Sequence, residues 1–298
     1  MIIITDTAAD IMENEAEDMG IKMVQIDVHF ELPYEPHNTP ESIQKFYELL
    51  ANSKELPSTS QPSPQDYLDL FEEAMDRKAD VLVITLSSGL SGTFNSAMAA
   101  KQICGYENIL ILDSRQATIG QRVLVEKAVE LRDQGMQYKE IYAYLSELRE
   151  HIEVCGVLNT LTYLKKGGRV PASIATLGNI LGIKPVVALL DSVVKSIGKA
   201  RGSRAGKESL MRQYDRYVID SEYPVFFGYT GTSDSAIAFQ EEAISRIEQK
   251  KTRLVPVGSI IGTHLGPGAI LLCFVSQTKI SENFATESED SGLDQSAC

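Results

Sequence analysis

The feature that most constrains the fold is the apolar run Val81-Leu82-Val83-Ile84, followed closely by Leu86-Ser87-Ser88-Gly89-Leu90-Ser91-Gly92-Thr93. An apolar run with no polar alternation reads as a strand buried on both faces, as in a parallel sheet. The loop behind it is almost wholly hydroxyls and glycines, and residues Phe94 to Ile103 then read as a helix. Glycines let backbone N–H groups turn toward a ligand, and hydroxyls add adjustable donors. A helix N-terminus adds partial positive charge. This strand–loop–helix unit has the design of an anion cradle.

The first half of the chain repeats the same rhythm. Ile2-Ile3-Ile4 reads as a short strand, with Asp6 or Thr7 capping the helix behind it, and Ile21 to Phe30 alternates like a strand. Pro40 to Ala51 and Pro64 to Lys78 read as helices, the second with Ser63 as N-cap and Tyr67, Leu68, Phe71 and Met75 on one face. Ile109 to Asp113 is a further buried strand, followed by long amphipathic helices over roughly 117–134 and 138–150. Strands alternating with helices imply an α/β region with a parallel sheet covered on both faces.

The second half differs. A strand at Val154 to Leu158 precedes a helical turn from Leu161 to Lys166 and the breaker Gly167-Gly168. Pro185 to Leu190 and Val193 to Lys199 read as a hairpin turning at Asp191-Ser192. A helix near 206–218, a strand from Pro224 to Thr230 and a helix from Ser233 to Lys250 follow. Two last strands are expected near 254–261 and 269–276, flanking the loop Gly262-Thr263-His264-Leu265-Gly266-Pro267-Gly268. Hairpins mixed with helices predict an α+β region with a mixed sheet. The expected division is an N-terminal α/β domain over 1–151, a mixed-sheet domain over 152–280, and an acidic disordered tail over 281–298.

Charge excludes some functions. A net charge of −13 argues against nucleic acid as a partner. Yet nine basic residues fall between Lys165 and Lys207, with Asp191 the sole acid among them. Such a segment is either a solvated surface or a docking face for something negative. No apolar run is long enough to span a bilayer, and the N-terminus lacks a basic n-region, so neither a transmembrane segment nor a secretory signal is expected. Four cysteines without CxxC spacing fit the reduced thiols of a cytoplasmic protein, and four scattered histidines indicate no metal site.

Three loops carry the candidate chemistry: Thr59-Ser60-Gln61-Pro62-Ser63-Pro64, Ser87 to Thr93, and Gly262 to Ala269. Singly, each also serves as a helix cap or a turn, and His264 as an ordinary loop histidine. In this order, however, they resemble the DegV family of fatty-acid-binding proteins, which includes the lipid-carrying subunits of bacterial fatty acid kinase. Thr5-Asp6-Thr7-Ala8-Ala9-Asp10, Asp113-Ser114, Gly167-Gly168-Arg169, Ile183-Lys184-Pro185 and Gly262-x-His264-x-Gly266-Pro267-Gly268 extend the resemblance to about residue 278. Gln116, Gln121 and Arg122 depart from the family's small and apolar pattern, and the acidic tail is an addition.

The resemblance implies two α/β domains with one long acyl chain between them and no cofactor beyond that lipid. Its carboxylate would be held by Thr59, Ser91 and His264, with Ser60 and the Gly92 backbone as further donors. A separate ATP-using kinase would phosphorylate it, and Arg169 and Arg201 would lie on the kinase-docking surface. The chain itself has no GxxxxGK[ST] sequence, so no nucleotide site of its own is expected. The physics agrees with a carrier. At ~0.8 kcal/mol per buried methylene, a chain of about sixteen carbons supplies on the order of 10 kcal/mol gross.

Two other readings fit parts of the sequence. Gly89-Leu90-Ser91-Gly92-Thr93 nearly matches a nucleophile elbow, which with His264 would make a serine hydrolase, though no acid presents itself as the third member. Asp6, one helical turn from Asp10, suits a phosphotransfer nucleophile or metal ligand, and helix capping explains the same residues.

Overall fold

The computed structural model describes residues 1–169, 182–247 and 251–280. The N-terminal region is built on strands β1 (Ile2–Asp6), β2 (Lys22–Val24), β3 (Asp27–His29), β4 (Ser58–Ser60), β5 (Val81–Thr85) and β6 (Ile109–Asp113). Its helices are α1 (Glu13–Met19), α2 (Pro40–Asn52), α3 (Pro64–Asp76), α4 (Thr93–Cys104), α5 (Thr118–Asp133) and α6 (Tyr138–Leu148). The C-terminal region contains β7 (Ile152–Val157), α7 (Thr162–Lys166), β8 (Ile183–Leu190), β9 (Val193–Arg201), α8 (Gly202–Tyr214) and β10 (Val225–Tyr229). It continues through α9 (Asp234–Ala243), β11 (Thr252–Pro256), α10 (Ser259–Leu265) and β12 (Ile270–Val275).

A four-stranded sheet in the order β2-β1-β5-β6 is parallel throughout. The β5 run sits at its interior and is buried along its whole length. Alternation decides where its side chains go. Val81 and Val83 pack under α3 and α4 with Tyr67, Phe71 and Ala97. Leu82 and Ile84 face the other way, into a core shared with α5.

The second sheet has six strands in the order β11-β10-β12-β7-β8-β9 and is mixed, with only β10 and β11 parallel. On β12, Leu271, Cys273 and Val275 join the same core as Leu82 and Ile84, while Leu272 and Phe274 pack with Leu210 and Phe239 on the opposite face. The order through the molecule is therefore α3/α4, parallel sheet, α5, mixed sheet, α8/α9.

Most expected elements form, with differences at the ends. The β8–β9 hairpin turns at Asp191 (φ 50°) and Ser192 (φ 69°), both in the left-handed region, which matches strand twist in a two-residue turn. Residues 21–30 do not make one strand. They divide into β2, paired with β1, and β3, paired with β4, because the chain changes sheet between them. The strand expected near 254–261 stops at Pro256, and residues 259–265 are helical. The helix expected from Ser233 to Lys250 ends at Ala243, and residues 248–250 and the acidic tail lie outside the described residues.

Three carboxyls are buried in this framework. Burial pushes Asp6 up to about 6, Asp10 up to about 7 and Glu153 up to about 7. Glu153 lies on β7 with neither side-chain oxygen in a hydrogen bond, and neighbouring Tyr217 and Arg216 offset its desolvation only in part. Each group holds its proton more tightly folded than unfolded. Their contribution to stability is therefore full at low pH and is lost as pH rises through the folded values. Thermal unfolding should show a midpoint that rises as pH is lowered from about 8 to about 6.5. Glu153→Gln should flatten that slope and stabilise the protein at pH 8 by ~2 kcal/mol.

Candidate functional site

A cavity of about 360 Å³ opens between the two sheets. Its body is apolar, with Leu86 from the end of the parallel sheet, Val154, Val187 and Leu189 from the mixed sheet, and Ile260 and Leu265 from α10. Its polar lining comprises Thr59, Ser60, Gln61, Ser91, Arg169 and His264, with Thr118 a further hydroxyl. Such a space accepts a long apolar body with one polar end.

Each polar group is placed by a different element. Thr59 and Ser60 lie on β4, held opposite Val28 and Asp27 of β3. Ser60 Oγ is hydrogen-bonded to His29 Nε2 at 2.9 Å. Gln61 follows β4 and its Nε2 donates to Ser96 Oγ on α4 at 3.0 Å. A Cβ at Gly92 would lie 1.8 Å from Gln61 Oε1, so this glycine leaves the space that the glutamine occupies.

Gly92 is the N-cap of α4, and Ser91 sits just before it. The Ser91 and Thr93 hydroxyls are hydrogen-bonded at 2.8 Å, and the Thr93 N–H donates to Ser91 Oγ at 3.3 Å. The rest of the loop is structural: Ser87 Oγ donates to the Ser192 carbonyl at 2.8 Å and Ser88 Oγ to Asp113 at 2.5 Å. Only the C-terminal half of the expected cradle faces the cavity, because these two bonds tie its first half to neighbouring strand ends.

His264 sits on α10, not in the loop between strands expected from its glycine-rich surroundings. Its Nε2 is 2.9 Å from Thr59 Oγ1, a hydrogen bond between residues 205 apart in sequence. Its Nδ1 is buried without a partner. A bare buried N–H is rarer and costlier than a bare lone pair, which assigns the proton to Nε2. Nε2–H then donates to Thr59 Oγ1, leaving the Thr59 proton to point elsewhere. Burial, reinforced by the positive charge of Arg169, pulls the His264 pKa down to about 4. The imidazole is neutral at physiological pH.

Arg169 reaches the cavity through the Gly167-Gly168 breaker. Gly168 adopts φ 68°, which returns the chain so that the Arg169 N–H donates to the Leu164 carbonyl at 3.1 Å. Arg169 Nε donates to the Leu90 carbonyl at 3.2 Å and Nη1 to the Gly167 carbonyl. It thus joins the mixed-sheet region to the glycine loop. Arg201 does not line the cavity and stands exposed at the junction of β9 and α8.

The structure brings Thr59, Ser60, Ser91, Gly92, Arg169 and His264 to one cavity and leaves Arg201 outside it. Among the described residues no hydrogen bond joins Ser91 to His264; each hydroxyl and ring is engaged with another partner. Asp6 is fully buried and accepts from the Leu86 N–H at 2.7 Å and the Ala8 N–H at 3.1 Å, which makes it a structural anchor. No cluster of three or more metal-ligating side chains occurs among the described residues. Nothing in the sequence distinguishes Gln61 as a cavity residue within the Thr-Ser-Gln-Pro motif. Ala117 and Thr118 carried no local signal of a cavity position.

A family model described as "Uncharacterised protein, DegV family" matches residues 1–277. The chain belongs to the DegV family. A DegV domain-containing protein of Caldanaerobacter subterraneus is 31% identical over 270 residues, covering 90% of this chain and 95% of its own length. The crystal structure of DegV, a fatty acid binding protein from Bacillus subtilis, is 28% identical with a TM-score of 0.79, covering 93% of this DegV chain and 99% of that one. A fatty acid binding DegV family protein from Streptococcus agalactiae is 26% identical with a TM-score of 0.83, covering 93% and 99%.

Two outcomes test the DegV site geometry. A histidine titration followed by NMR should show no His264 transition above about pH 5, and Arg169→Gln should move its midpoint upward by removing the adjacent cation. Gly167→Ala should disturb the ring specifically, because a Cβ there would lie 2.3 Å from His264 Nδ1 while the glycine's backbone conformation is ordinary.

Proposed function

We propose that the protein binds a long-chain fatty acid in the cavity between its sheets and presents the carboxylate to a separate ATP-dependent kinase for acyl-phosphate formation. The observation that carries the reading is an apolar cavity whose polar residues are mostly neutral hydroxyl, amide and imidazole groups. A carboxylate withdrawn from water must be fully hydrogen-bonded. The Thr59 hydroxyl, oriented by His264, donates to one oxygen, and Ser60, Ser91 and the Gly92 N–H are the further donors. Arg169 adds attraction for the negative charge. Because His264 is neutral, the carboxylate is held without a contact ion pair to the ring and keeps its nucleophilic lone pairs available.

The alkyl chain supplies the affinity through burial against Leu86, Val154, Val187 and Ile260. The relatives from Bacillus subtilis and Streptococcus agalactiae support the class of ligand, since both are described as fatty-acid-binding. Exposed Arg201, together with Arg169 at the cavity, is assigned to kinase docking, where guanidinium groups pair with acidic or phosphate groups. The division into domains at 1–151 and 152–280 belongs to the same proposal, with the ligand between them and the protein at work in the cytoplasm.

Mass spectrometry of an organic extract of the denatured protein should yield a stoichiometric fatty acid. An empty protein that also fails to take up added fatty acid overturns the reading. His264→Ala or Thr59→Ala should weaken carboxylate binding by ~10-fold, about the loss of one charge-assisted hydrogen bond, without loss of fold. Arg201→Ala should leave lipid binding unchanged and reduce acyl-phosphate formation, trapped as the hydroxamate, when ATP and the kinase are supplied.

A further inference from the structure

Asp10 lies outside the cavity lining, yet its carboxylate touches two of the elements that form it. Asp10 Oδ2 accepts from the Thr118 hydroxyl at 2.5 Å, and Oδ1 accepts from the Gly258 N–H at 2.9 Å. Thr118 is the first residue of α5 and lines the cavity. Gly258 is the N-cap of α10, the helix that carries His264. One buried side chain therefore joins the N-terminal strand's exit to the starts of both helices.

The backbone around this carboxylate is held in place by side chains. Asp10 sits at φ 52° and Thr118 at φ 47°. An aspartate tolerates the left-handed region, but a β-branched threonine is an outlier there and persists only where its surroundings over-determine it. Arg122 Nη1 donates to the Asp10 carbonyl at 2.9 Å, and Asn38 Nδ2 donates to the Thr7 and Ile11 carbonyls at 3.0 Å on either side. A Cβ at Gly258 would lie 2.9 Å from Asp10 Oδ1, so glycine lets the carboxylate approach the backbone. The preceding Val257 carbonyl accepts from the Tyr47 hydroxyl at 2.9 Å, which secures the same end of α10 from α2.

We infer that Asp10 is a positioning residue for the carboxylate site: by accepting from Thr118 and Gly258 together, it sets where α10 begins and hence where His264 meets Thr59. From Gly258 to His264 the chain is a short rigid helix, so a displacement at its start is carried to the imidazole. The consequence for ligand affinity rests on the fatty-acid reading above. The consequence for His264 does not.

The deciding experiment records long-range imidazole ¹H–¹⁵N spectra of the ligand-free full chain, with His264 identified by its loss in His264→Gln. Thr118→Val removes the hydroxyl at nearly constant shape, and Thr118→Ser retains it. The His264 nitrogen signals should shift in Thr118→Val and return to the parent positions in Thr118→Ser. Asp10→Asn, where it folds, should shift them in the same sense. Palmitate binding to the delipidated protein should weaken about fivefold in Thr118→Val, the scale of one neutral hydrogen bond. Unmoved His264 signals in Thr118→Val, or equal shifts in the valine and serine variants, overturn the proposal. A parent protein that binds no palmitate overturns the fatty-acid reading instead, and the ligand-free spectra still decide the role of Asp10.

Discussion

The two sheets share one apolar core, and the rest of the architecture follows from that sharing. Leu82 and Ile84 of the parallel sheet, Ile119 and Leu124 of α5, and Val154 and Leu271 of the mixed sheet belong to the same buried cluster. Alternation along each strand sends the intervening residues to separate outer clusters under α3/α4 and α8/α9. Neither sheet can bury its inner face without the other. Where the strand ends, α5 and α10 converge but do not fill the space, the shared core opens into the cavity.

Polar groups at this cavity are constrained by the same burial. Taking an imidazole out of water disfavours its charged form, and Arg169 disfavours it further, so His264 stays neutral beside the Thr59 hydroxyl. Burial acts in the opposite direction on Asp6, Asp10 and Glu153, whose acid forms are favoured. The histidine therefore opposes the carboxyls in the pH dependence of stability. Its contribution is lost as pH falls below the usual imidazole range toward about 4, over much of the same range in which the carboxyls' contribution is gained.

The ion pairs that flank Asp10 extend the connection between the two regions. Arg122 is almost wholly buried and meets both Glu15 and Glu126, and Glu126 in turn accepts two hydrogen bonds from Arg253 of β11. Arg122 and Gln121 both take places in buried polar networks. Gln121 Nε2 donates to Thr5 Oγ1 at 3.0 Å, bracing α5 against β1. These side chains support the start of α5, where the cavity lining turns from loop to helix.

Local chemistry made much of this legible in the sequence. Uninterrupted apolar runs such as Val81 to Ile84 mark two-faced burial, Ser63-Pro64 marks a helix start, and Asp191-Ser192 marks a hairpin, because each depends on neighbours in the chain. The three polar motifs that face the cavity were visible for the same reason. The sequence could not show that His264 lies on a helix. Its glycines resemble those of a turn, yet Gly262 lies within the helix, where a Cβ would meet Phe46 and Tyr47 of α2. Nor could it show that Thr59 meets His264 or that Arg169 reaches Leu90, because those contacts join segments brought together only by the shared core. The sequence by itself determined most of the elements, the class of fold and the polar groups available. The tertiary structure decided which of those groups share one cavity and which are neutral there, because proximity and desolvation are properties of packing between distant segments, not of any one segment.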